Sequence, residues 1–391
     1  MTCDRRRSKE TVVASALENV RILDLSRQLP GPFCAMMLGD LGADVLTIAA
    51  PNDPLGAGIP LLARNKRHMT LNLKAEAGRA VFAQLVAGAD VVLEGFRPGV
   101  TAKLGIDYPR LAAVNPRLVY CSISGYGQDG PYRDKVGHDL NYIGYAGVLG
   151  VTGTAGGPPV IPGVQIADIG GGTLMAVIGI LAALLARQHT GRGQLVDIAM
   201  LDGSLSWNVF HVLMHLIGQG TARGATRLTG RYACYSVFET ADGKYVTVGA
   251  LEAHFWKNLC EHFGRADLVP LQFAEGEDRE RVLAFFRDAF RRKTRDEWVR
   301  ELEPVDICFG PVNDVGEALE DPQLRARQMV LEEEHPHYGR VRTLGSPIKL
   351  SATPPVMRRP PYAFGQHTDE VLRELGYEAA AIAALREQGA V

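Results

Sequence analysis

Residues 20–48 read VRILDLSRQLPGPFCAMMLGDLGADVLTI and decide the fold. An apolar run from Val20 to Leu25 predicts a strand, and a helical pattern extends from Phe33 to Leu41 after Gly31-Pro32. A second apolar run, from Asp44 to Ile48, predicts another strand. A strand, a helix and a strand in this order are typical of two parallel strands joined by a helical crossover.

The same alternation continues along the chain. Further strands are predicted at His68–Leu73, Asp90–Leu93, Leu118–Ile123 and Gln194–Ile198, with a helix at Glu76–Ala87. Strands separated by helical segments of about 10–15 residues form parallel sheets covered by helices. We therefore predict an α/β fold whose core is a doubly wound, mostly parallel sheet with helices on both faces.

The chain is long enough for two domains, because it has 391 residues and single cores rarely grow beyond about 250–300. A hairpin signal at Ala241-Asp242-Gly243 marks a smaller α+β domain. We predict a disordered leader at 1–18, a large domain at 19–224, a small domain at 225–315, and a C-terminal segment at 316–391 that returns to the large domain.

The net charge and the composition limit the kinds of partner, metal site and cellular location that we expect. A net charge of −2 gives no bulk field for nucleic acid or an anionic membrane, so neither is expected as a partner. The six cysteines show no metal-binding spacing, and the first residues lack the apolar run of a signal peptide, so we expect a cytoplasmic protein without a metal. The most apolar stretch, Thr173–Ala186, is shorter than the roughly 20 residues that span a bilayer and predicts a buried helix.

Basic residues lie next to two of the predicted strands. Arg64, Lys66 and Lys74 flank one strand, and Arg97 follows another. Ligands of open α/β sheets collect at the carboxyl ends of strands, where fixed cations can contact phosphates. A solvated basic face is the alternative. The sequence has neither a phosphate-loop motif nor the glycine motif of dinucleotide-binding proteins, which argues against nucleoside triphosphate and nicotinamide chemistry.

Two titratable residues lie in or at the end of a glycine-rich region that spans about residues 125–172. These are His138, in Gly137-His138-Asp139, and Asp168, in Ile166-Ala167-Asp168. Titratable groups on loops of a rigid sheet are common in catalysis. The structural alternatives are that His138 satisfies a loop carbonyl and that Asp168 caps the apolar helix after it.

Several motifs together resemble those of the family III CoA-transferase superfamily, which includes alpha-methylacyl-CoA racemase. They are Leu25–Cys34, Leu41–Val45, Arg64–Arg67, Glu94–Gly99, Ser124–Pro131, Gly191–Gln194, Gly310–Asn313 and Gly365–Thr368. The resemblance covers nearly the whole chain after the leader.

The resemblance implies a Rossmann-like large domain, a small domain and an interlocked homodimer. It also implies an acyl-CoA thioester as substrate, with coenzyme A as part of that substrate and no separate cofactor. The residues that match the family's coenzyme A contacts are Arg64, Lys66, Leu73, Lys74 and Arg97. The chain departs from the pattern at Ala49-Ala50-Pro51, where many relatives carry a charged residue before the proline.

The superfamily contains two reactions, and Asp168 matches a carboxylate used in both. The motif Gly137-His138-Asp139-Leu140-Asn141-Tyr142 is similar to the racemase motif that supplies a second base, His138. Glu252 matches a racemase glutamate that holds this histidine, although Ala253-His254 replaces the usual Pro-Gln after it. The glycine run that several transferases use as a lid is missing from residues 229–235.

We therefore expect an enzyme that racemises or epimerises the α-carbon of a 2-methylacyl-CoA by 1,1-proton transfer. Two groups that titrate near neutral pH must flank this carbon. An imidazole meets this requirement, and so does a carboxyl group whose pKa is raised by burial. Asp168, His138 and Glu252 are the predicted catalytic residues, with substrate-binding roles for Gly137, Asp139 and Tyr142.

Two alternatives stay open at this point. One is a CoA-transferase that moves CoA between carboxylic acids through an aspartyl-acyl anhydride on Asp168. The other is a CoA-binding subunit without catalysis of its own, which the presence of Asp168 disfavours.

Overall fold

The structure is a computed structural model that describes residues 15–53, 58–335 and 339–391. The chain divides into two compact units. The first unit runs to Tyr145 and also contains Val164–Trp207 and Gln328–Val391, and the second contains Ala146–Gly163 and Asn208–Arg327. The unit boundaries differ from those predicted at 225 and 315, because the segments that move into the second unit carry no strand or hairpin signal. Of the predicted leader, residues 1–14 lie outside the described residues.

The described residues form strands and helices whose bounds follow in chain order. The strands are β1 Arg21–Asp24, β2 Asp44–Ala49, β3 Lys66–Thr70, β4 Val91–Glu94, β5 Val119–Ser124, β6 Leu195–Ala199, β7 Tyr235–Glu239, β8 Tyr245–Gly249, β9 Phe309–Pro311, β10 Val330–His335 and β11 Gly339–Leu344. The α-helices are α1 Pro30–Asp40, α2 Glu76–Ala87, α3 Val100–Leu104, α4 Tyr108–Val114, α5 Asp139–Tyr145, α6 Val148–Val151, α7 Met175–Thr190, α8 Met200–Trp207, α9 Val209–Leu216, α10 Ala253–His262, α11 Gly276–Phe290, α12 Arg295–Leu302, α13 Val315–Glu320, α14 Pro322–Ala326, α15 Thr368–Glu374 and α16 Ala379–Glu387. Short 3-10 turns lie at Pro60–Leu62 and Ala266–Leu271, and a π-helical segment at Ile166–Leu174.

The first unit is built on a six-stranded parallel sheet in the order β3-β2-β1-β4-β5-β6. This confirms the α/β prediction and the predicted strands. The inner strands β4 and β5 are buried along their whole length because helices cover both faces. The strand order reverses between β1 and β4, so the loops that follow these two strands meet at the carboxyl edge. The Arg27 guanidinium lies 5.7 Å from the centre of the Phe96 ring there.

The apolar helix differs from its prediction in length. Ile166–Thr190 is one continuous helix of 25 residues, long and apolar enough to cross a membrane by length and composition alone. The prediction that this stretch is too short was therefore wrong, because its first turns contain Gly170, Gly171 and Gly172 and look like a loop in the sequence. Half of its most apolar window is buried inside the protein, and α7 packs on β5 and β6, as a core helix does.

The glycines of this helix allow a close approach to α8. A Cβ added at Gly203 would lie 2.4 Å from the Gly171 Cα, and one added at Gly171 would lie 2.5 Å from the Met200 carbonyl oxygen. Both distances are far below van der Waals contact. The backbone of the π-helical segment is therefore held directly against α8, which fixes the residues that precede it, Asp168 among them.

The second unit carries the predicted hairpin. Strands β7, β8 and β9 form an antiparallel sheet. The core beneath the sheet contains Trp256, Phe286 and Phe290, all fully buried. Helix α12 begins with a capping box in which Thr294 and Glu297 satisfy each other's backbone N–H groups.

The C-terminal segment belongs to the first unit from Gln328 onward. The backbone N–H of His68 on β3 donates to His367 Nδ1 at 3.1 Å, just before α15. This segment contains one antiparallel hairpin, β10–β11, which ends at Leu344.

We predict that Gly203→Ala destabilises the first unit, by about 1–3 kcal/mol, because the added methyl group has no space beside Gly171. The matched control is Gly150→Ala, since Gly150 is also helical and nothing lies within 4 Å of its added Cβ. Thermal unfolding monitored by circular dichroism measures both variants. Equal midpoints for the two would contradict the close approach.

Candidate active site

The structure brings the segments that carry His138 and Asp168 together. Asp139 begins α5, and its Oδ1 accepts the backbone N–H groups of Ala167 at 2.6 Å and of Asp168 at 3.0 Å. One carboxylate therefore ties the start of α5 to the start of the π-helical segment. Irregular helical turns of this kind are frequent at functional sites.

The Asp168 carboxyl group is half-buried and electrostatically perturbed. Its pKa is raised to about 6, first by burial and then by the charge of Asp139, while His138 acts in the opposite direction. His138 is therefore within electrostatic range of the Asp168 carboxyl group. A carboxyl group with a pKa of about 6 can both hold and release a proton near neutral pH.

Neither structural alternative for these two residues is observed. The His138 backbone N–H donates to Asn141 Oδ1 at 3.0 Å, but its ring has no hydrogen-bond partner among the described residues. Asp168 lies inside the helical segment, whose N-cap position is occupied by Gln165. Its carboxylate oxygens also have no hydrogen-bond partner in the described parts of the chain. Both side chains are therefore available to a substrate.

Tyr142 holds the backbone beside His138. It is buried, and its hydroxyl group donates to the Gly137 carbonyl oxygen at 2.5 Å. Its pKa is raised to about 12 by burial, then by Tyr126 and Asp168, and Arg97 opposes this shift. A Cβ added at Gly137 would lie 2.8 Å from the Tyr142 ring, so this tight approach requires glycine. Tyr142 thus lies within electrostatic reach of both Asp168 and Arg97.

Two of the predicted coenzyme A contacts are exposed cations. Lys74 follows β3 and Arg97 follows β4, and neither side chain has an ion-pair partner within the described ranges. Arg97 stands at the reversal of strand order, where a ligand of this fold is expected. These two cations are free to contact phosphate groups.

The other predicted contacts are internal, and here the prediction needs correction. Arg64 is 4% exposed and binds the Asp40 carboxylate with Nε at 3.0 Å and Nη2 at 2.7 Å. Lys66 is 2% exposed, and its Nζ donates to the Pro32 carbonyl oxygen at 2.8 Å and lies 3.4 Å from Asp24. Leu73 is packed in the core. The charges of Arg64 and Lys66 are used inside the protein, so their placement does not support direct contact with coenzyme A.

Glu252 lies in the second unit, immediately before α10, with an exposed side chain that does not cap the helix. Its contact with His138 stays a prediction. Within the described residues, no three His, Cys, Asp or Glu side chains are grouped closely enough to hold a metal ion.

The chain matches the family described as CoA-transferase family III over residues 17–368. It belongs to this family. An alpha-methylacyl-CoA racemase from Mus musculus is 37% identical over 92% of this chain and 93% of its own length. A succinyl-CoA:glutarate CoA-transferase from Homo sapiens is 31% identical over 96% of this chain and 90% of its own length.

The fold agrees with this family assignment. A crystal structure of a CAIB/BAIF family protein from Brucella suis superposes with a TM-score of 0.80 at 29% identity, covering 92% of this chain and 99% of that chain. The chain is therefore an acyl-CoA enzyme of family III. Its relatives include both racemases and transferases at similar identity. Family membership therefore does not determine which of these two reactions the chain catalyses.

Sequence reasoning gave no special role to two residues at the carboxyl edge of the sheet. Gln28, in the loop after β1, has a left-handed backbone with φ of 64°, which is rare for a residue other than glycine and gives no signal in the sequence. Glu94, the last residue of β4, is a buried acid. A charged residue at the end of the apolar run Val91-Val92-Leu93 was the available signal.

We predict that Asp139→Asn lowers the pKa of Asp168 below about 6, because a carboxyl group ionises more readily without a like charge nearby. The amide keeps an oxygen that can accept the two N–H groups. NMR titration of ¹³C-labelled aspartate carboxyl groups measures the shift, and Asp168→Asn assigns the signal. The control Asp134→Asn removes an exposed carboxylate paired with Arg133 and should leave this pKa in place. A pKa unchanged by Asp139→Asn contradicts the described coupling.

Proposed function

We propose that this chain interconverts the two configurations at C2 of a 2-methylacyl-CoA, with Asp168 and His138 as the two proton-transferring groups. The observation that carries this proposal is the pairing of a half-buried carboxyl group, whose pKa is about 6, with an imidazole ring that has no hydrogen-bond partner among the described residues. Transfer through an aspartyl anhydride uses the carboxylate as a nucleophile and requires no proton transfer at C2. The nearby free imidazole supports the two-base reaction.

The reaction needs one base and one acid on opposite faces of C2. The base takes the C2 proton, the electron pair of the C–H bond moves into the enolate, and the acid delivers its own proton to the other face. In one direction His138 is the base and protonated Asp168 the acid, and in the other direction the roles are exchanged. Each turnover exchanges the protonation states of the pair, so proton exchange with water returns the enzyme to its starting form.

The enolate oxygen requires hydrogen-bond donors that are already in place. We assign this task to backbone N–H groups near Gly137 and Asp139, since fixed dipoles stabilise developing charge without reorganisation. The hydrogen bonds of Asp139 to Ala167 and Asp168 and of Tyr142 to Gly137 keep this stretch in one conformation.

For the coenzyme A portion, we propose that Lys74 and Arg97 contact the phosphate groups. Both are exposed and have no ion-pair partner in the described residues, and they follow β3 and β4, two strands that end at the same edge of the parallel sheet. Arg64 and Lys66 are buried and have a structural role instead. Their ion pairs with Asp40 and Asp24 connect the start of β3 to α1 and β1.

Transfer of CoA between carboxylic acids is the second candidate, because the Asp168 oxygens are also unpartnered and several relatives are transferases. Here an Asp168 oxygen attacks the thioester carbonyl carbon and the C–S bond breaks. The CoA thiolate departs, and an acyl-aspartyl anhydride remains on Asp168. On this pathway His138 takes no proton from C2.

We also propose a homodimer, interlocked as the family resemblance implies. In the first unit, Ile178, Leu185, Leu205 and Trp207 are each at least half exposed. Apolar residues this exposed are typical of an interaction surface.

Solvent exchange distinguishes the two reactions. We expect the wild-type enzyme in deuterated water to place deuterium at C2 of a 2-methylacyl-CoA without any acceptor acid, detected by mass spectrometry or NMR. His138→Ala should lower this exchange by about 100-fold or more, within the range for loss of a general acid or base.

The matched control is His189→Ala, which removes an exposed histidine of the same unit. It should exchange like the wild type. If deuterium does not enter C2 and CoA instead moves to an added carboxylic acid, the chain is a transferase and the racemase proposal is wrong.

A further inference from the structure

A buried acid outside the catalytic pair lies under the site. Glu94 ends β4 at the reversal of strand order and is 2% exposed. No lysine, arginine or histidine in the described residues forms an ion pair with it. Burying a carboxyl group without a counter-ion is costly and favours its protonated form, and burial raises the pKa of Glu94 to about 7. Simple packing would favour an apolar residue at this position.

Both oxygens of Glu94 are engaged. Oε2 accepts the backbone N–H of Phe96 at 2.7 Å, and Oε1 is hydrogen-bonded to the Ser122 hydroxyl group on β5. The Ser122 oxygen also accepts from Gln128 Nε2 at 2.7 Å, and the Gln128 backbone N–H donates to Asp197 on β6 at 3.0 Å. One carboxyl group thus joins the loops that follow β4 and β5, and through Gln128 it reaches β6.

These two loops carry groups of the proposed site. Arg97 directly follows Phe96, whose N–H is held by Glu94. Tyr126 lies in the same loop as Gln128, and its ring packs edge-on against Tyr142 with ring centres 5.1 Å apart. Arg97 in turn influences the ionisation of Tyr142. Glu94 therefore connects Arg97, the exposed cation, to Tyr126 and Tyr142, the aromatic residues beside Gly137.

We propose that Glu94 is a positioning residue for coenzyme A, which fixes the peptide N–H of Phe96 and thereby directs the Arg97 guanidinium toward a phosphate of the substrate. This inference rests on the proposed role of Arg97 in binding acyl-CoA. It does not depend on whether the chemistry is racemisation or transfer.

A double-mutant cycle with free coenzyme A tests the inference without turnover. The variants are Glu94→Ala, Arg97→Ala and the double variant, and isothermal titration calorimetry gives Kd for each. We expect each single change to raise Kd about tenfold, which is the loss of one charge-assisted contact. The double variant should be no weaker than Arg97→Ala alone, because Glu94 acts through Arg97.

The conservative variant Glu94→Gln separates positioning from folding. Its amide can accept from Phe96 and donate to Ser122, so CoA binding should stay within about threefold of the wild type. Ser122→Ala breaks one arm of the network and keeps the Phe96 contact, which provides a second variant if Glu94→Ala does not fold. It should weaken CoA binding less than Arg97→Ala does.

Three results would overturn the inference. They are additive effects in the double variant, an unchanged Kd for folded Glu94→Ala, and an Arg97→Ala variant that binds coenzyme A like the wild type. The racemase proposal fails by a separate route, since it depends on solvent exchange at C2 and not on these affinities.

Discussion

The site depends on a single carboxylate that accepts two backbone N–H groups. Asp139 closes the long glycine-rich connection after β5 by binding the N–H groups of Ala167 and Asp168. A charged acceptor makes stronger hydrogen bonds than a neutral one, and these bonds are partly buried. The same charge acts on the neighbouring Asp168 carboxyl group and raises its pKa. One residue therefore supplies both the geometry and part of the electrostatics of the proposed catalytic pair.

Glycine allows this arrangement to be compact. Gly137 lets the Tyr142 ring approach the backbone next to His138, and Gly171 and Gly203 let the π-helical segment approach α8. Gly137 and Gly171, within the glycine-rich residues 125–172, are thus required for close packing around His138 and Asp168. The parallel sheet beneath these loops is buried, and the proposed catalytic residues lie beyond its carboxyl edge.

Much of this could be predicted from the sequence. Apolar runs such as Val20–Leu25 alternate with helical patterns, and this periodicity is sufficient to place the parallel sheet. His138 and Asp168 were predicted to be catalytic because polar titratable residues stood out in a glycine-rich region and matched a family motif. Arg64 and Lys66 were misjudged because a sequence does not show which cations point inward, and their partners Asp40 and Asp24 are more than 20 residues away. The start of the long helix was predicted too late because its first turns contain several glycines. Glu94 was missed because its partner Ser122 lies on the next strand.

The central claim is that His138 and Asp168 act on the same carbon of an acyl-CoA thioester. A crystal structure of the chain with a bound 2-methylacyl-CoA tests it most directly. The account predicts that an imidazole nitrogen of His138 and a carboxylate oxygen of Asp168 both lie within about 4 Å of C2, on opposite faces, as proton transfer requires. A complex in which only one of the two side chains reaches C2, or in which the thioester is bound away from both, would contradict it.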